Sequence, residues 1–119
     1  MSSSFDRAPS FDPAVLDRLR LALRDESGAF AARVITTFVR QTEELVLELE
    51  RAAGGQDIVG ASEAAHKLKG SAGTVGGVQL ARLCDEIEHW QGAAQDLRPV
   101  VASVREELSR LQAALATYL

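Results

Sequence analysis

Residues 57–75 read Asp57-Ile58-Val59-Gly60-Ala61-Ser62-Glu63-Ala64-Ala65-His66-Lys67-Leu68-Lys69-Gly70-Ser71-Ala72-Gly73-Thr74-Val75. Apolar residues recur at helical spacing rather than in alternation, so the stretch reads as a helix from about Asp57 to Thr74. Stepped at about 100° per residue from His66, residues Ala61, Leu68, Ala72 and Val75 gather on the far side, the expected core face. Ser62, Glu63, Lys69, Gly70 and Gly73 fall within about 60° of His66 on the near side. His66 is therefore expected to face away from the core, with a lysine at i+3 and a glycine at i+4 as surface neighbours. A glycine inside a helix costs roughly 1 kcal/mol relative to alanine. Two of them flank the imidazole, and close helix packing does not explain them, because the core lies on the opposite face. The pattern describes an exposed imidazole over bare backbone with an ammonium in reach. Such a nitrogen is suited to taking a bulky anionic group while another protein docks closely. The second histidine, His89, has no such neighbours and reads as a solvated surface residue.

Working outward, Ala, Leu, Glu and Arg dominate the chain and aromatic residues make up only 5%, so the whole chain reads as helical. Asp12-Pro13 reads as a helix start, with Asp12 capping and Pro13 in the first helical position. Val15, Leu16, Leu19 and Leu23 give that first helix its apolar face, and Gly28 breaks it. A second helix is predicted from Ala29 to Ala53, with Phe30, Val34, Phe38, Leu45 and Leu49 as its stripe, ended by Gly54-Gly55. Gly73–Gly77 holds three glycines and is predicted as a turn. A fourth helix is predicted from Val78 to Gln91, with Leu80, Leu83, Cys84 and Ile87 inward. The last carries Leu97, Val101, Val104, Leu108, Leu111 and Leu115, with Asp96 as its cap and Pro99 tolerated in its first turn. Short connections favour antiparallel neighbours. The expected architecture is an all-α, up-down antiparallel four-helix bundle with a short extra N-terminal helix. Residues 1–11 are expected to be a mobile arm and residues 12–119 the domain.

Several function classes are excluded at this stage. With 119 residues the chain is expected to form one domain. Its net charge of −4 argues against nucleic-acid binding. One cysteine, Cys84, allows neither an intramolecular disulfide nor a cysteine zinc cage. Two histidines without paired Glu-x-x-His motifs make a di-metal site improbable, and no metal ligands are assigned. No phosphate-binding glycine loop of the ATP-using kind is present. No apolar run approaches the roughly 20 residues of a membrane span, and Met1–Ser10 lacks the apolar stretch of a secretory signal. A cytoplasmic monomer is expected, and the Met1 start with its short arm favours a free-standing protein.

Ala65-His66-Lys67-Leu68-Lys69-Gly70-Ser71-Ala72, followed by Val75-Gly76 and then by Leu80-Ala81-Arg82-Leu83-Cys84, resembles the histidine-containing phosphotransfer (HPt) domains of two-component phosphorelays. The resemblance runs through Glu88 and covers all but the N-terminal arm. It implies a four-helix bundle and a phosphorelay intermediate without autonomous turnover, not an enzyme in its own right. In the family a histidine takes a phosphoryl group from an aspartyl phosphate on one receiver domain, for example that of a hybrid histidine kinase, and passes it to a response-regulator receiver. Carried over, His66 is the phosphoryl acceptor and Lys69 the cation that stabilises the group in flight. Gly70 leaves room for the phosphoryl group and Gly73 for the partner, with Ser62, Glu63 and Lys67 at the docking edge. Ser71, at i+5, points away from His66. No cofactor is implied for this chain, since the magnesium ion and the acceptor aspartate belong to the receiver. One departure touches the site: where the family often carries Gln on the next helix, this chain has Glu88. That carboxylate is able either to accept the Nδ1–H of His66 or to repel the phosphoryl group. A solvated surface glutamate is the plain alternative for Glu88. The competing function is a docking module for receivers or kinases that never accepts phosphate.

Overall fold

The computed structural model describes residues 9–118, which fold into five α-helices. These are α1 (Pro13–Ala22), α2 (Ala29–Gly54), α3 (Ile58–Val75), α4 (Val78–Glu88) and α5 (Leu97–Tyr118), with a 3-10 turn at Ala94–Asp96 before α5. Helix α3 packs between α2 and α4, and α5 closes the bundle against both of those helices. The short α1 lies against α3 and α2. This is the up-down bundle with an added N-terminal helix that the sequence implies.

Local sequence sets each start. The Asp12 carboxylate accepts from the Ala14 amide at 3.1 Å, with Pro13 in the first turn. Asp57 accepts from the Gly60 amide at 2.9 Å to open α3. Helix α2 is capped by a residue that local pattern did not single out. Asp25 reaches forward to the Phe30 and Ala31 amides at 3.1 and 3.0 Å. Desolvation works against its charge, yet those amides and Arg20 hold its carboxyl below the usual range.

The core is built from Leu16, Val46, Leu49, Leu68, Leu80, Ile87, Leu97, Val104, Leu108, Leu111 and Leu115, with Ala61, Ala65 and Ala72 of α3 also fully enclosed. Each large apolar side chain so enclosed contributes roughly 1.5–3 kcal/mol. Small residues on α3 let its neighbours approach closely, which is why this helix sits in the middle. On α5, Arg105 forms two-pronged pairs with Glu43 (2.9 and 2.8 Å) and Glu50 (3.0 and 2.8 Å), joining α5 to α2.

Four expectations need correction. Helix α3 continues through Gly73 to Val75, and the turn is confined to Gly76-Gly77. Gly76 is its left-handed end, at φ 80°, and a Cβ there would lie 2.4 Å from the Asp12 carbonyl oxygen. The Gly76 carbonyl in turn accepts from the Asp12 amide at 2.8 Å, tying the start of α1 to the α3–α4 turn. Helix α4 stops at Glu88 rather than Gln91, because the His89 ring takes the Asp85 carbonyl of the last turn and Trp90 folds inward, its indole donating to the Ala93 carbonyl. Asp96 stands directly before α5, where a cap belongs, but it ends the 3-10 turn and among the described residues no amide donates to its carboxylate. Finally, Phe11, placed in the arm by composition, packs edge-on against Tyr118 with ring centres 5.7 Å apart, and the remainder of that arm, residues 1–8, lies outside the described residues. Two apolar stripes also shift. Leu23 caps α1 on the outside and is exposed, while on α2 the large apolar side chains enclosed are Phe38, Val46 and Leu49, with Phe30, Val34 and Leu45 only half-buried.

Candidate functional site

The outward face of α3 carries the site. Ala61, Leu68, Ala72 and Val75 are fully enclosed on the opposite face, while the His66 side chain is 68% exposed. A Cβ added at Gly70 or at Gly73 would meet nothing within 4 Å. The strip beside the imidazole is therefore open backbone, with no neighbouring helix filling the space that the missing side chains leave.

The other wall of the site comes from the last turns of α4. Glu88 brings Oε2 to 2.7 Å from Nδ1 of His66. Its Oε1 lies 2.7 Å from the Lys69 ammonium as an ion pair, with no well-directed hydrogen bond of its own. Lys69 also reaches Asp85 at 3.1 Å. Lys69 and then His66 hold the Glu88 carboxyl below its ordinary range, and Glu88 and Asp85 raise the Lys69 ammonium above its own. An ionised carboxylate can only accept. The proton in the His66–Glu88 contact therefore sits on Nδ1, and in the neutral ring the lone pair is then on Nε2. Nε2 has no hydrogen-bond partner among the described residues.

Ser62, expected at the docking edge, is half-buried and commits its hydroxyl to the Glu88 carbonyl at 2.9 Å. It anchors the end of α4 to α3. Glu63 and Lys67 are exposed and line a shallow polar hollow with Glu48, Arg51 and Asp57, on the α2 side. Asp85 went unnoticed in the sequence. Its signal was the Asp85–Glu88 spacing of three on one helix face, which delivers two carboxylates to the same neighbour. Asp85, Glu88 and His89 bring oxygen and nitrogen atoms within 4.8 Å of one another. The Lys69 ammonium already pairs with both carboxylates, so this is an ion-pair cluster rather than a cation site. Cys84, one turn from Glu88, is enclosed, and burial pushes its thiol up to about 12, which leaves it inert as a nucleophile.

A second feature unseen in the sequence lies on the α2 side of the bare strip. Phe30, Val34, Phe38 and Val75, with Arg33 and Ser71 among the polar residues, line a mainly apolar cleft of about 410 Å³. Ser71 belongs to this cleft and not to the imidazole.

Comparison with known proteins points the same way as the geometry. The Hpt domain family model matches residues 33–114. The fold is similar to the crystal structure of histidine-containing phosphotransfer protein B (HptB) from Pseudomonas aeruginosa PAO1, with a TM-score of 0.76 and 26% identity over 93% of this chain and 95% of that one. It is also similar to the HPT domain of the Hpt sensor hybrid histidine kinase from Shewanella, with a TM-score of 0.65 and 26% identity over 85% and 88% of the two chains. Multistep phosphorelay regulator 1 of Schizosaccharomyces pombe is 24% identical over 98 residues, and the chain spans about a third (33%) of that relative's length. Together these support a phosphotransfer role in two-component signalling. No described helix is long and apolar enough to cross a membrane. With the family model covering most of α2 through α5 and an outward histidine in the expected place on α3, this chain belongs to the Hpt domain family.

Proposed function

We propose that this protein is a phosphorelay intermediate: His66 accepts a phosphoryl group from an aspartyl phosphate on a receiver domain and passes it to the receiver of a response regulator. The observation that carries this reading is the state of His66. Its ring is exposed, its Nδ1 is tied to Glu88, and its Nε2 stands free over a strip with no side chains. In the transfer, the Nε2 lone pair forms the N–P bond. The P–O bond to the aspartyl carboxylate breaks, and that bond's electron pair leaves with the carboxylate. The moving group spreads negative charge over its oxygens, so positioning and electrostatics supply most of the catalysis. Lys69 is the cation for that role and exchanges part of its pairing with Asp85 and Glu88 for the phosphoryl oxygens. Magnesium and the acceptor aspartate come with the receiver, and this chain brings no cofactor. The partner sits over Gly70 and Gly73, with Glu63 and Lys67 at the rim, and the apolar cleft between α2 and α3 lies beside that footprint to take apolar side chains.

The test is incubation with phosphorylated receiver domains, scoring acid-labile, base-stable label on this chain and its later appearance on a second receiver. Label that appears and moves on supports the relay. Stable complex formation without any label points instead to a docking module.

A further inference from the structure

We propose that Arg33 is a specificity residue: it selects, among receivers, those that present a carboxylate beside the apolar side chain entering the cleft between α2 and α3. The inference rests on the phosphotransfer reading above and names what this chain asks of the receiver it accepts. The cleft adjoins the bare strip. Thr74, on its wall, donates its hydroxyl back to the Gly70 carbonyl at 3.2 Å, and Ser71, next to Gly70 in the chain, lines it too. A partner seated over Gly70 and Gly73 therefore has the mouth of the cleft at its edge. Phe30, Val34, Phe38 and Val75 make the interior apolar, and among the described residues Arg33 is the only charged one that lines it. A carboxylate is costly to bury in such an interior, so the partner's acid belongs at the rim, where Arg33 stands.

The charge on Arg33 is held in place and left unspent. Its guanidinium carbon lies 5.7 Å from the centre of the Phe30 ring, one turn back on α2, a contact that steadies the side chain at the rim. The residue is exposed and makes no hydrogen bond or ion pair among the described residues. Asp25 lies within its field. That carboxylate, however, has its side chain 7% exposed and is already taken by the Phe30 and Ala31 amides and by Arg20. The planar fork of a guanidinium matches a carboxylate. The polar hollow farther along the same two helices is built otherwise. There Glu48, Asp57 and Glu63 stand with Arg51 and Lys67, so a partner charge of either sign meets its like as well as its opposite. At the cleft the lining charge is of one sign: a partner carboxylate is attracted, and a partner lysine or arginine is repelled. Repulsion of the wrong partner selects as much as attraction of the right one. On a chain of net charge −4, this rim is a local reversal of sign.

The experiment measures binding and transfer side by side on the full chain. Purified receiver domains are titrated against the parent by calorimetry, and the tightest binder is carried forward. Thermal melts show that each variant is folded. Arg33→Glu is expected to weaken the Kd by about tenfold and to leave the single-turnover rate at saturating receiver unchanged, since a rim charge acts on encounter and partner choice rather than on the reacting atoms. Arg33→Lys should lose about threefold, keeping the charge and losing the planar fork. Arg18→Glu, the same change of net charge on an exposed residue of α1, should lose no more than about twofold, because solvent screens a charge that has no partner opposite it. Each surface Asp or Glu of the receiver outside its phosphorylation site is then changed to Lys in turn. One of these changes should weaken binding to the parent and restore most of the loss in Arg33→Glu. Arg33→Glu that binds as tightly as the parent overturns the proposal. So does an equal loss in Arg18→Glu, or a loss that no reversed receiver charge restores. The relay reading fails separately. Arg33-dependent binding without any label on His66 sinks the relay and keeps the selection. Label that passes with the same dependence on receiver concentration in the parent and in Arg33→Glu keeps the relay and sinks the selection.

Discussion

His66 and His89 are almost equally exposed, at 68% and 67% of their side chains, and they are built for different work. The His89 ring turns back on its own helix, with Nδ1 3.0 Å from the Asp85 carbonyl, and so closes the last turn of α4 and ends it. The His66 ring instead reaches across to a different helix, to a carboxylate that is itself compensated by Lys69. One histidine adds a second contact to a carbonyl that already accepts from its own backbone amide at 3.1 Å. The other is held in one tautomer with its second nitrogen free. Exposure alone does not distinguish a reactive histidine from an ordinary one; what occupies Nδ1 does.

The sharpest way to break this comparison is to remove each ring in turn. His66→Gln is expected to abolish acid-labile phosphorylation by a receiver while leaving the helical spectrum unchanged. His89→Gln should be phosphorylated as the parent is, with no more than a slight fraying of α4. Label that survives in His66→Gln, or vanishes in His89→Gln, reverses the assignment of the two histidines.

Next in size is the cation. Lys69 shares the Glu88 carboxylate with His66, as it shares Asp85 with His89, and Lys69→Ala should slow single-turnover transfer by something on the order of ten- to a thousandfold, the range for losing one donor to developing charge. The resting contacts add a further expectation. Because Asp85 and Glu88 share the ammonium at 3.1 and 2.7 Å, Asp85→Asn should loosen Lys69 without removing it, and its effect should be much smaller than that of Lys69→Ala. Equal losses in the two variants would mean that the α4 carboxylates, and not the ammonium, are what the transfer needs.

The contrast also explains what the sequence could convey. The two faces of α3 were legible, because neighbours on one helix follow from a fixed period. The outward His66, the enclosed Ala61, Leu68, Ala72 and Val75, and the open Gly70 and Gly73 all stand where that period puts them. Contacts between helices were legible only where the family resemblance supplied them, as with Glu88. The sharing of Lys69 by Asp85, the Ser62 anchor and the Arg105 clamp depend on how far one helix slides along another, which no single-helix pattern encodes. Helix α2 shows the same limit in its core. A stripe read at fixed spacing drifts around a helix of 26 residues, so Phe30 and Val34 end up in the cleft wall beside the site and Val46 in the core. The early end of α4 was hidden for a similar reason: it depends on Trp90, partly buried, packing against the core.

The smallest expected effect concerns the bare strip, which His66 has and His89 lacks. Gly70 has ordinary helical backbone, since the glycines at positive φ are Gly28 and Gly76, and a Cβ there meets nothing within 4 Å. Alanine should therefore be accepted without strain and should stabilise the bundle by up to about 1 kcal/mol, the usual helical advantage of alanine over glycine. A glycine kept at a position where alanine fits and stabilises needs a reason outside the folded chain. Close approach of the phosphoryl group and its carrier supplies one. Gly70→Gln should then remain folded, with a thermal midpoint at or near that of the parent, while transfer falls by on the order of a hundredfold, as expected when reacting atoms are displaced by about 1 Å. Gly73→Gln, farther along the strip, should fall less. Thermal unfolding measured beside single-turnover transfer separates the two quantities. If Gly70→Gln transfers normally, the strip has no role in approach. The two glycines would then need a structural reason, which the empty space above both of them does not offer.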